Sequence, residues 1–389
     1  MNKKKLSRSS SLQSSVTSVL AALLCILIGL LVGFLVLIAI NPAHAWGDGF
    51  VRIIKGGFHD APYGVGKELA NAAPLIMTGL SVAFAFKTGL FNIGAAGQYT
   101  LGAYGALYCA IMLKLPWFVC LLVAAVLGGL WGAIPGFFKA YFNINEVITS
   151  IMFNWIGLYL VNELIYQNGT GPMYDVRNTR TLNLSKNADF AQSLIPDFGL
   201  NKLFQTNSTT IAIFLAAAVA VLIWVVLNKT TFGYELKAVG LNKNAARYAG
   251  INEKKNIILS MAIAGALAGF GAGLRYLSNV SQWNPLNSTS LPGMGFNGIS
   301  VALLASSNPI GTVFSALFIS HISVGGSFLS TKFYPTEISD LISGIIIYLC
   351  AFSMLFRGKI QSLLFRNAEK TNVNAEPAPA AEKTKKEGK

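Results

Sequence analysis

The stretch GLFNIGAAGQ, residues 89–98, places three glycines, an asparagine and a glutamine between two segments that are apolar enough to cross a membrane. Glycine permits backbone conformations that an uninterrupted helix does not contain. Such backbone is tolerated at membrane depth only where it is buried in protein or lies beside water. The stretch therefore predicts an interrupted segment inside a bundle of membrane-spanning helices.

The composition around this stretch is that of a membrane protein. Hydrophobic residues make up 53% of the 389 residues and charged residues only 12%, with a mean hydropathy of +0.54, whereas a soluble domain carries roughly 25% charged residues. The net charge of +14 comes from Lys and Arg clustered in short segments between apolar runs, without interleaved aromatic residues. Such clusters are typical of membrane topology signals, and we expect no nucleic-acid partner.

Runs of about 20 apolar residues, the length that crosses the hydrocarbon core, predict about ten transmembrane helices and an all-α, polytopic membrane protein. The third and the eighth run are short and contain glycine. The predicted spans are residues 19–40, 69–86, 99–113, 116–137, 147–164, 210–227, 256–277, 295–307, 309–328 and 337–356.

Lys and Arg also predict the orientation, because cytoplasmic loops are enriched in them. A cytoplasmic N-terminus places 20 of the 30 Lys and Arg residues inside and 10 outside, with Arg275 among the outer ones. We therefore expect a basic cytoplasmic N-terminus at residues 1–18, a transmembrane domain at 19–356 and a cytoplasmic tail at 357–389. The tail is rich in Ala, Pro, Glu and Lys and is predicted to be disordered.

Two connecting segments are long. Residues 165–209, predicted to be external, form either a partner-facing surface or a partly folded cap. Residues 228–255, predicted to be cytoplasmic, are basic and are either a solvated connector near anionic lipid headgroups or a docking element for a cytoplasmic partner. In the second interpretation a short helix near Asn242–Tyr248 enters a groove on the partner. The candidate docking residues are Gly240, Asn242, Ala245, Ala246 and Gly250.

Four motifs carry a family resemblance: GLFNIGAAGQYTLGAYGA at 89–106, NINEVITSIMFNWI at 143–156, LKAVGLNKNAARYAGIN at 236–252 and GFNGISVALLASSNPIG at 295–311. With them the chain resembles the permeases of ABC importers in the branched-chain amino acid and ribose permease superfamily, and the nucleoside-uptake permeases most. The resemblance implies a homodimeric or heterodimeric channel in a bacterial cell membrane. It also implies three partners: a second permease subunit, a cytoplasmic ABC ATPase and an extracellular or lipid-anchored solute-binding protein. The family usually carries Glu just before the Gly-Gln pair of the first motif, where this chain has Ala96.

Three absences from the sequence agree with a transport subunit. No G-x-x-x-x-G-K-[ST] motif is present, so ATP must be bound and hydrolysed by another subunit. No acidic residue lies in the middle of a predicted span, which weakens the alternative of an ion-coupled secondary transporter. No arrangement of nucleophile, base and metal ligands indicates an enzyme, and we assign no catalytic residue, metal or cofactor.

Asparagine and glutamine are the candidate residues for a solute path. Asn92 and Gln98 lie in the opening stretch, and Asn297 lies in GFNG at 295–298, which repeats the Phe-Asn pair. This recurrence is what an inverted repeat relating spans 2–5 with spans 7–10 would produce; chance recurrence or tight helix packing is the alternative.

The fifth predicted span adds a polar stripe, because Glu146, Ser150, Asn154 and Asn162 are spaced by multiples of four residues. The stripe must face the bundle, either through interhelical hydrogen bonds or as the wall of a polar path. Asn154 is the preferred path residue because it is the deepest of the four. These observations predict the permease subunit of an ABC importer that carries nucleosides inward, with a simple sugar as the second candidate cargo.

Overall fold

The computed structural model describes residues 3–330 and, beyond them, residues 332–335, 338, 341, 342, 344, 345, 348 and 349. Helices dominate this part of the chain, and two residue pairs, β1 (Tyr174–Asp175) and β2 (Arg180–Thr181), form a short antiparallel hairpin. The α-helices are α1 (Lys3–Ile40), α2 (Val51–Lys55), α3 (Tyr63–Lys87), α4 (Ala95–Ile111), α5 (Trp117–Phe142), α6 (Glu146–Tyr166), α7 (Leu200–Phe204), α8 (Ala212–Lys229), α9 (Thr231–Leu241), α10 (Lys243–Tyr248), α11 (Glu253–Leu277), α12 (Gly293–Leu304) and α13 (Pro309–Ser327).

This architecture confirms the predicted all-α membrane protein. Seven helices of the described residues, α1, α3, α5, α6, α8, α11 and α13, are long and apolar enough to cross a membrane. The third and eighth predicted spans are the shorter helices α4, with 17 residues, and α12, with 12 residues. The tenth predicted span, 337–356, lies outside the described residues except at the isolated positions given above, and the tail at 357–389 lies wholly outside them.

The apolar side chains exposed on the outer helices form stripes with a spacing of four residues. On α1 they include Leu23, Leu27, Leu31 and Leu35, which are 50–66% exposed. A similar stripe on α5 includes Phe118, Leu122, Val126 and Leu130. Such stripes suit contact with lipid chains, since a helix face in lipid carries apolar side chains at helical spacing.

Helices α3 and α11 lie at the centre of the bundle. In the most apolar stretch of each helix, 83% of the residues are buried in α3 and 67% in α11. Helix α11 packs against α4 and α5, and α3 packs against α12 and α13. Small residues allow the close approach: a Cβ built on Gly132 of α5 would lie only 2.5 Å from the backbone oxygen of Met261. The matched pairing of α11 with α4–α5 and of α3 with α12–α13 is what the predicted inverted repeat requires, although the repeat itself stays a prediction.

Two ends of the bundle are distinguished by their loops. At the first, which we call the hairpin end, residues 165–209 fold over the end of α11: the Thr181 amide donates to the Trp283 carbonyl at 2.9 Å, and the Ile195 amide to the Leu277 carbonyl at 3.1 Å. The segment is therefore partly folded against the bundle, and its role as a partner-facing surface stays a prediction. The opposite end, the α10 end, carries α9, α10 and the turn between α3 and α4.

Candidate functional site

The break between α3 and α4 is where the opening sequence stretch lies. Helix α3 ends at Lys87, Gly89 has a φ of +70°, and α4 begins only at Ala95. A positive φ suits glycine because it has no Cβ. The predicted interruption is therefore confirmed, and it lies beside protein, because Leu90 and Asn92 are both buried.

Asn92 in this break and Gln98 in the first turn of α4 form a closed pair of side-chain amides. The Asn92 amide donates to Oε1 of Gln98 at 2.8 Å, and the Gln98 amide donates back to Oδ1 of Asn92 at 2.9 Å. Asn92 also donates to the hydroxyl of Ser81 on α3 at 2.9 Å. Both amides are almost fully buried, so in this conformation they stabilise the break and offer few free groups to a solute.

Asn154 of α6 fastens the first turn of α4. Its Oδ1 accepts from the Gly97 amide at 2.8 Å, and its Nδ2 donates to the carbonyl of Ile93 at 3.0 Å. The Gly97 amide is one of the helix-start groups that lack an intrahelical partner. Asn154 thus supplies the hydrogen bonds that an interrupted helix needs inside a membrane.

The rest of the polar stripe on α6 also faces the bundle. Glu146 forms an ion pair with Lys139 at 2.9 Å. Asn162 accepts from the indole of Trp283 at 2.8 Å and donates to a loop carbonyl. Ser150 is buried, and its hydroxyl has no hydrogen-bond partner within the described part of the chain. Of the two interpretations of the stripe, these contacts favour interhelical hydrogen bonding.

Asn297 differs from the other candidate path residues because it is half-buried and makes no side-chain hydrogen bond to any described residue. It lies in the first turns of α12, where Gly295 touches the start of α4: a Cβ on Gly295 would lie 2.5 Å from the backbone nitrogen of Ala96. Ala96 is itself fully buried. The starts of the two short helices, α4 and α12, therefore meet inside the bundle.

Arg275 was missed as a candidate because it was counted as a loop residue. It lies in the last turn of α11, is half-buried, and its guanidinium donates to Oδ1 of Asn71 on α3 at 3.4 Å. No carboxylate of the described residues lies within ion-pair distance of it. The available signal was its position inside the predicted span 256–277, since an ionisable residue within a span indicates function.

The predicted short helix at the α10 end is confirmed as α10, Lys243–Tyr248. Asn242 caps it, because its Oδ1 accepts from the amides of Asn244 and Ala245 at 3.0 and 3.1 Å. Ala246 does not face outward as the docking interpretation assumed: it is only 3% exposed and belongs to an apolar cluster that includes Val239 and Ile257.

Of the three other candidate docking residues, Ala245 is exposed on α10, and Gly240 and Gly250 have backbone roles. Gly240 in α9 packs against the backbone of the turn that follows α3, and Gly250 has a φ of +83° just after α10. The exposed surface of this segment is largely polar and basic and includes the candidates Asn242 and Ala245. It also carries two large apolar or aromatic side chains, since Tyr248 is 95% exposed and Leu241 is 88% exposed. Neither Leu241 nor Tyr248 was among the docking residues predicted from the sequence. The direction of a side chain in so short a helix depends on how the helix packs.

Comparison with known proteins decides the family. A family model described as the permease component of the branched-chain amino acid transport system matches residues 66–351. The chain belongs to this family of ABC transporter permeases. The matched region begins at the start of α3, so α1 and the segment after it lie outside the family match.

Curated relatives of the permease cover most of its length. It is 33% identical to the guanosine ABC transporter permease protein NupP of Bacillus subtilis, over 82% of this chain and 90% of that one. It is 35% identical to the nucleoside ABC transporter permease protein NupB of Lactococcus lactis, over 83% and 85% of the two chains. The glucose ABC transporter permease protein TsgB13 of Haloferax volcanii is 31% identical, over 83% of each chain. No solved structure matches the permease.

Proposed function

We propose that the permease imports nucleosides as the membrane subunit of an ABC transporter. The observation that carries this proposal is the similarity to two relatives named for guanosine and nucleoside transport, each aligned over more than four fifths of both chains. The relative named for glucose keeps a neutral sugar as the second candidate cargo. Both cargoes are uncharged and rich in hydroxyl groups.

The chemistry around the break after α3 supports an uncharged cargo. The buried polar groups around the break after α3 include the neutral amides of Asn92, Gln98 and Asn154, and neutral hydroxyls such as those of Ser81 and Thr88. An amino acid would bring an ammonium and a carboxylate into this region, and an unpaired charge in an apolar interior is costly. A nucleoside instead offers hydroxyls and base edges that amides can bind.

We propose that the path runs between the paired helices α3, α4, α11 and α12. Arg275 and Asn71 lie on it near the hairpin end, and Asn297 lies at the start of α12. Asn92, Gln98 and Asn154 then act mainly by holding the start of α4, with their amides becoming available only when that start moves. Alternating access would separate the starts of α4 and α12.

The proposed orientation places the hairpin end outside and the α10 end in the cytoplasm, together with both termini. A solute-binding protein then delivers cargo to the cap formed by residues 165–209. The ATPase contacts α9–α10, where Leu241 and Tyr248 are exposed. A second permease subunit, identical or different, completes the channel.

The test of the cargo is uptake of labelled nucleoside, in cells that lack other nucleoside carriers and express the complete transporter. We expect uptake to require the permease and to be blocked by excess unlabelled nucleoside, but not by excess ribose, glucose or leucine. Competition by a sugar with no competition by nucleosides would overturn the cargo proposal and favour the sugar alternative.

A further inference from the structure

Residues 45–60, which we call the strap, connect α1 to the start of α3 and lie outside the family match. The strap consists of a π-helical turn, Ala45–Phe50, then α2, then a 3₁₀ turn, Gly56–Asp60. It crosses the ends of α3 and α13 and is held there by two ionisable side chains, Glu68 of α3 and His321 of α13.

The carboxylate of Glu68 is the centre of this contact. It is 8% exposed, and its Oε1 accepts from the Gly57 amide of the strap at 2.5 Å and lies 2.7 Å from Nδ1 of His321. A buried carboxylate needs such donors, because an unpaired charge away from water is costly. The glycine at position 56 is also required, since a Cβ there would overlap the ring of His321.

The second ring nitrogen of His321 also faces an acceptor. Its Nε2 lies 2.8 Å from the carbonyl oxygen of Ile54 in the strap. A neutral imidazole has one N–H and one bare nitrogen, whereas the imidazolium has two N–H donors. With a carboxylate on one side and a carbonyl on the other, only the imidazolium can satisfy both contacts.

We propose that Glu68 and His321 form a proton-dependent latch that fastens the strap to α3 and α13. At low pH the imidazolium donates to Glu68 and to Ile54, and the strap is held. As the pH rises, His321 loses one proton, a bare nitrogen then faces an acceptor, and the strap loosens. Imidazole is suited to this role because its ordinary titration falls between about pH 5 and 8.

Most of the other ionisable groups on the elements around His321 have contacts of their own, and Lys55 and Asp60 are the exceptions among the described residues. His321 is the only ionisable residue of α13. Lys67 of α3 lies over the ring of Tyr63, Arg52 pairs with Asp48, and the ring of His59 faces Phe328. Lys55 and Asp60 form no ion pair with the described residues.

One hydrogen bond between α13 and α3 involves no ionisable group and therefore does not depend on pH. The hydroxyl of Ser320 donates to the backbone carbonyl of Glu68 at 2.7 Å and joins α13 to α3 directly. We therefore expect loosening to affect the strap and to leave the packing of α3 against α13 intact.

The test is hydrogen–deuterium exchange of the full-length permease in lipid nanodiscs at about pH 5.5 and about pH 8.5, on either side of the ordinary imidazole range. Exchange is converted to protection factors, which removes the intrinsic effect of pH. We expect the protection of residues 53–58 to fall severalfold from the lower to the higher pH. The His321→Gln variant should show low protection at both pH values, since one amide cannot replace two ring donors. The His59→Gln variant is the matched control and should keep the wild-type response.

Glu68→Gln provides a second variant that keeps an acceptor oxygen but removes the negative charge. We expect the loss of protection to begin at a lower pH in this variant, because the imidazolium is no longer paired with a carboxylate. Equal protection of residues 53–58 at both pH values in the wild type would overturn the latch. So would a wild-type response in His321→Gln, provided that α11 keeps its protection. None of these outcomes depends on the cargo, so failure of the latch and failure of nucleoside import are distinguishable.

Discussion

Gly240 of α9 lies in backbone contact with Gly89, the positive-φ residue of the turn between α3 and α4. A Cβ built on Gly240 would lie 2.9 Å from the amide nitrogen of Gly89 and 2.5 Å from the carbonyl oxygen of Lys87. Asn92 lies three residues further along the same turn, and its partner Gln98 lies in the first turn of α4. Helix α9, which we propose lies in the cytoplasm and meets the ATPase, therefore touches the turn that leads to the start of α4.

We expect Gly240→Ala to reduce uptake, because the added methyl group pushes the Lys87–Gly89 turn away from α9. Overpacking of this kind costs about 1–3 kcal/mol, so thermal unfolding of the purified permease should occur at a lower temperature. Gly47→Ala is the control, since a Cβ at Gly47 meets no atom within 4 Å. Uptake equal to wild type in Gly240→Ala would argue against coupling through this contact.

Asn154→Ala should destabilise the permease and lower uptake together. The change leaves the Gly97 amide and the Ile93 carbonyl without their partners, and an unsatisfied buried group costs about 1–3 kcal/mol. The measurements are thermal unfolding and uptake normalised to the amount of assembled transporter. A variant with wild-type stability and reduced uptake would instead indicate that Asn154 binds solute directly.

Asn297→Ala provides the contrasting case. Its side chain is half-buried and makes no hydrogen bond to the described residues, so we expect unchanged stability. Uptake at limiting nucleoside concentration should fall, because the side chain is free to bind solute. An unchanged concentration dependence of uptake would remove Asn297 from the proposed path.

Tyr248→Ala and Leu241→Ala should weaken co-purification of the ATPase without changing the stability of the permease, because both side chains are exposed. Ala246→Glu should behave differently: a carboxylate placed in the apolar cluster beside Val239 would destabilise the packing of α9 and α10. If the two outward variants retain the ATPase fully, the docking surface lies elsewhere.

The orientation can be checked by labelling single cysteines in intact cells, on a background that lacks the native cysteines. An impermeant reagent added outside should label Val176→Cys, which replaces a 66% exposed residue of the hairpin. It should not label Asn242→Cys. The opposite pattern would reverse the proposed topology.

The lengths of the apolar runs and the positions of the glycines predicted most of the helices. The thickness of the bilayer sets the length of a spanning helix, and non-helical backbone is tolerated in the membrane only at protected positions. Nine of the ten predicted spans coincide with helices, and residues 88–94 form the predicted non-helical break between two of them. The strap was not predicted, since its short turns carry no periodic signal and Glu68 and His321 are 253 residues apart in sequence.

The sequence predicted which residues lie at the candidate site better than it predicted which side chains contact one another there. The sequence indicated that Asn92, Gln98 and Asn154 lie within the bundle, but not that two of these amides bind each other. The direction of Ala246 and the inward position of Arg275 depend on tertiary packing. Spacing along one helix does not specify which neighbour a side chain meets.

The meeting of α4 and α12 at Ala96 and Gly295 has an electrical consequence. The start of an α-helix carries a partial positive charge, and here two such starts lie together within the bundle. Positive helix ends in a membrane pore oppose the passage of protons and metal cations. A channel that opens between these two helices would admit an uncharged molecule while resisting cation leak, and the cell could take up cargo without discharging its membrane potential.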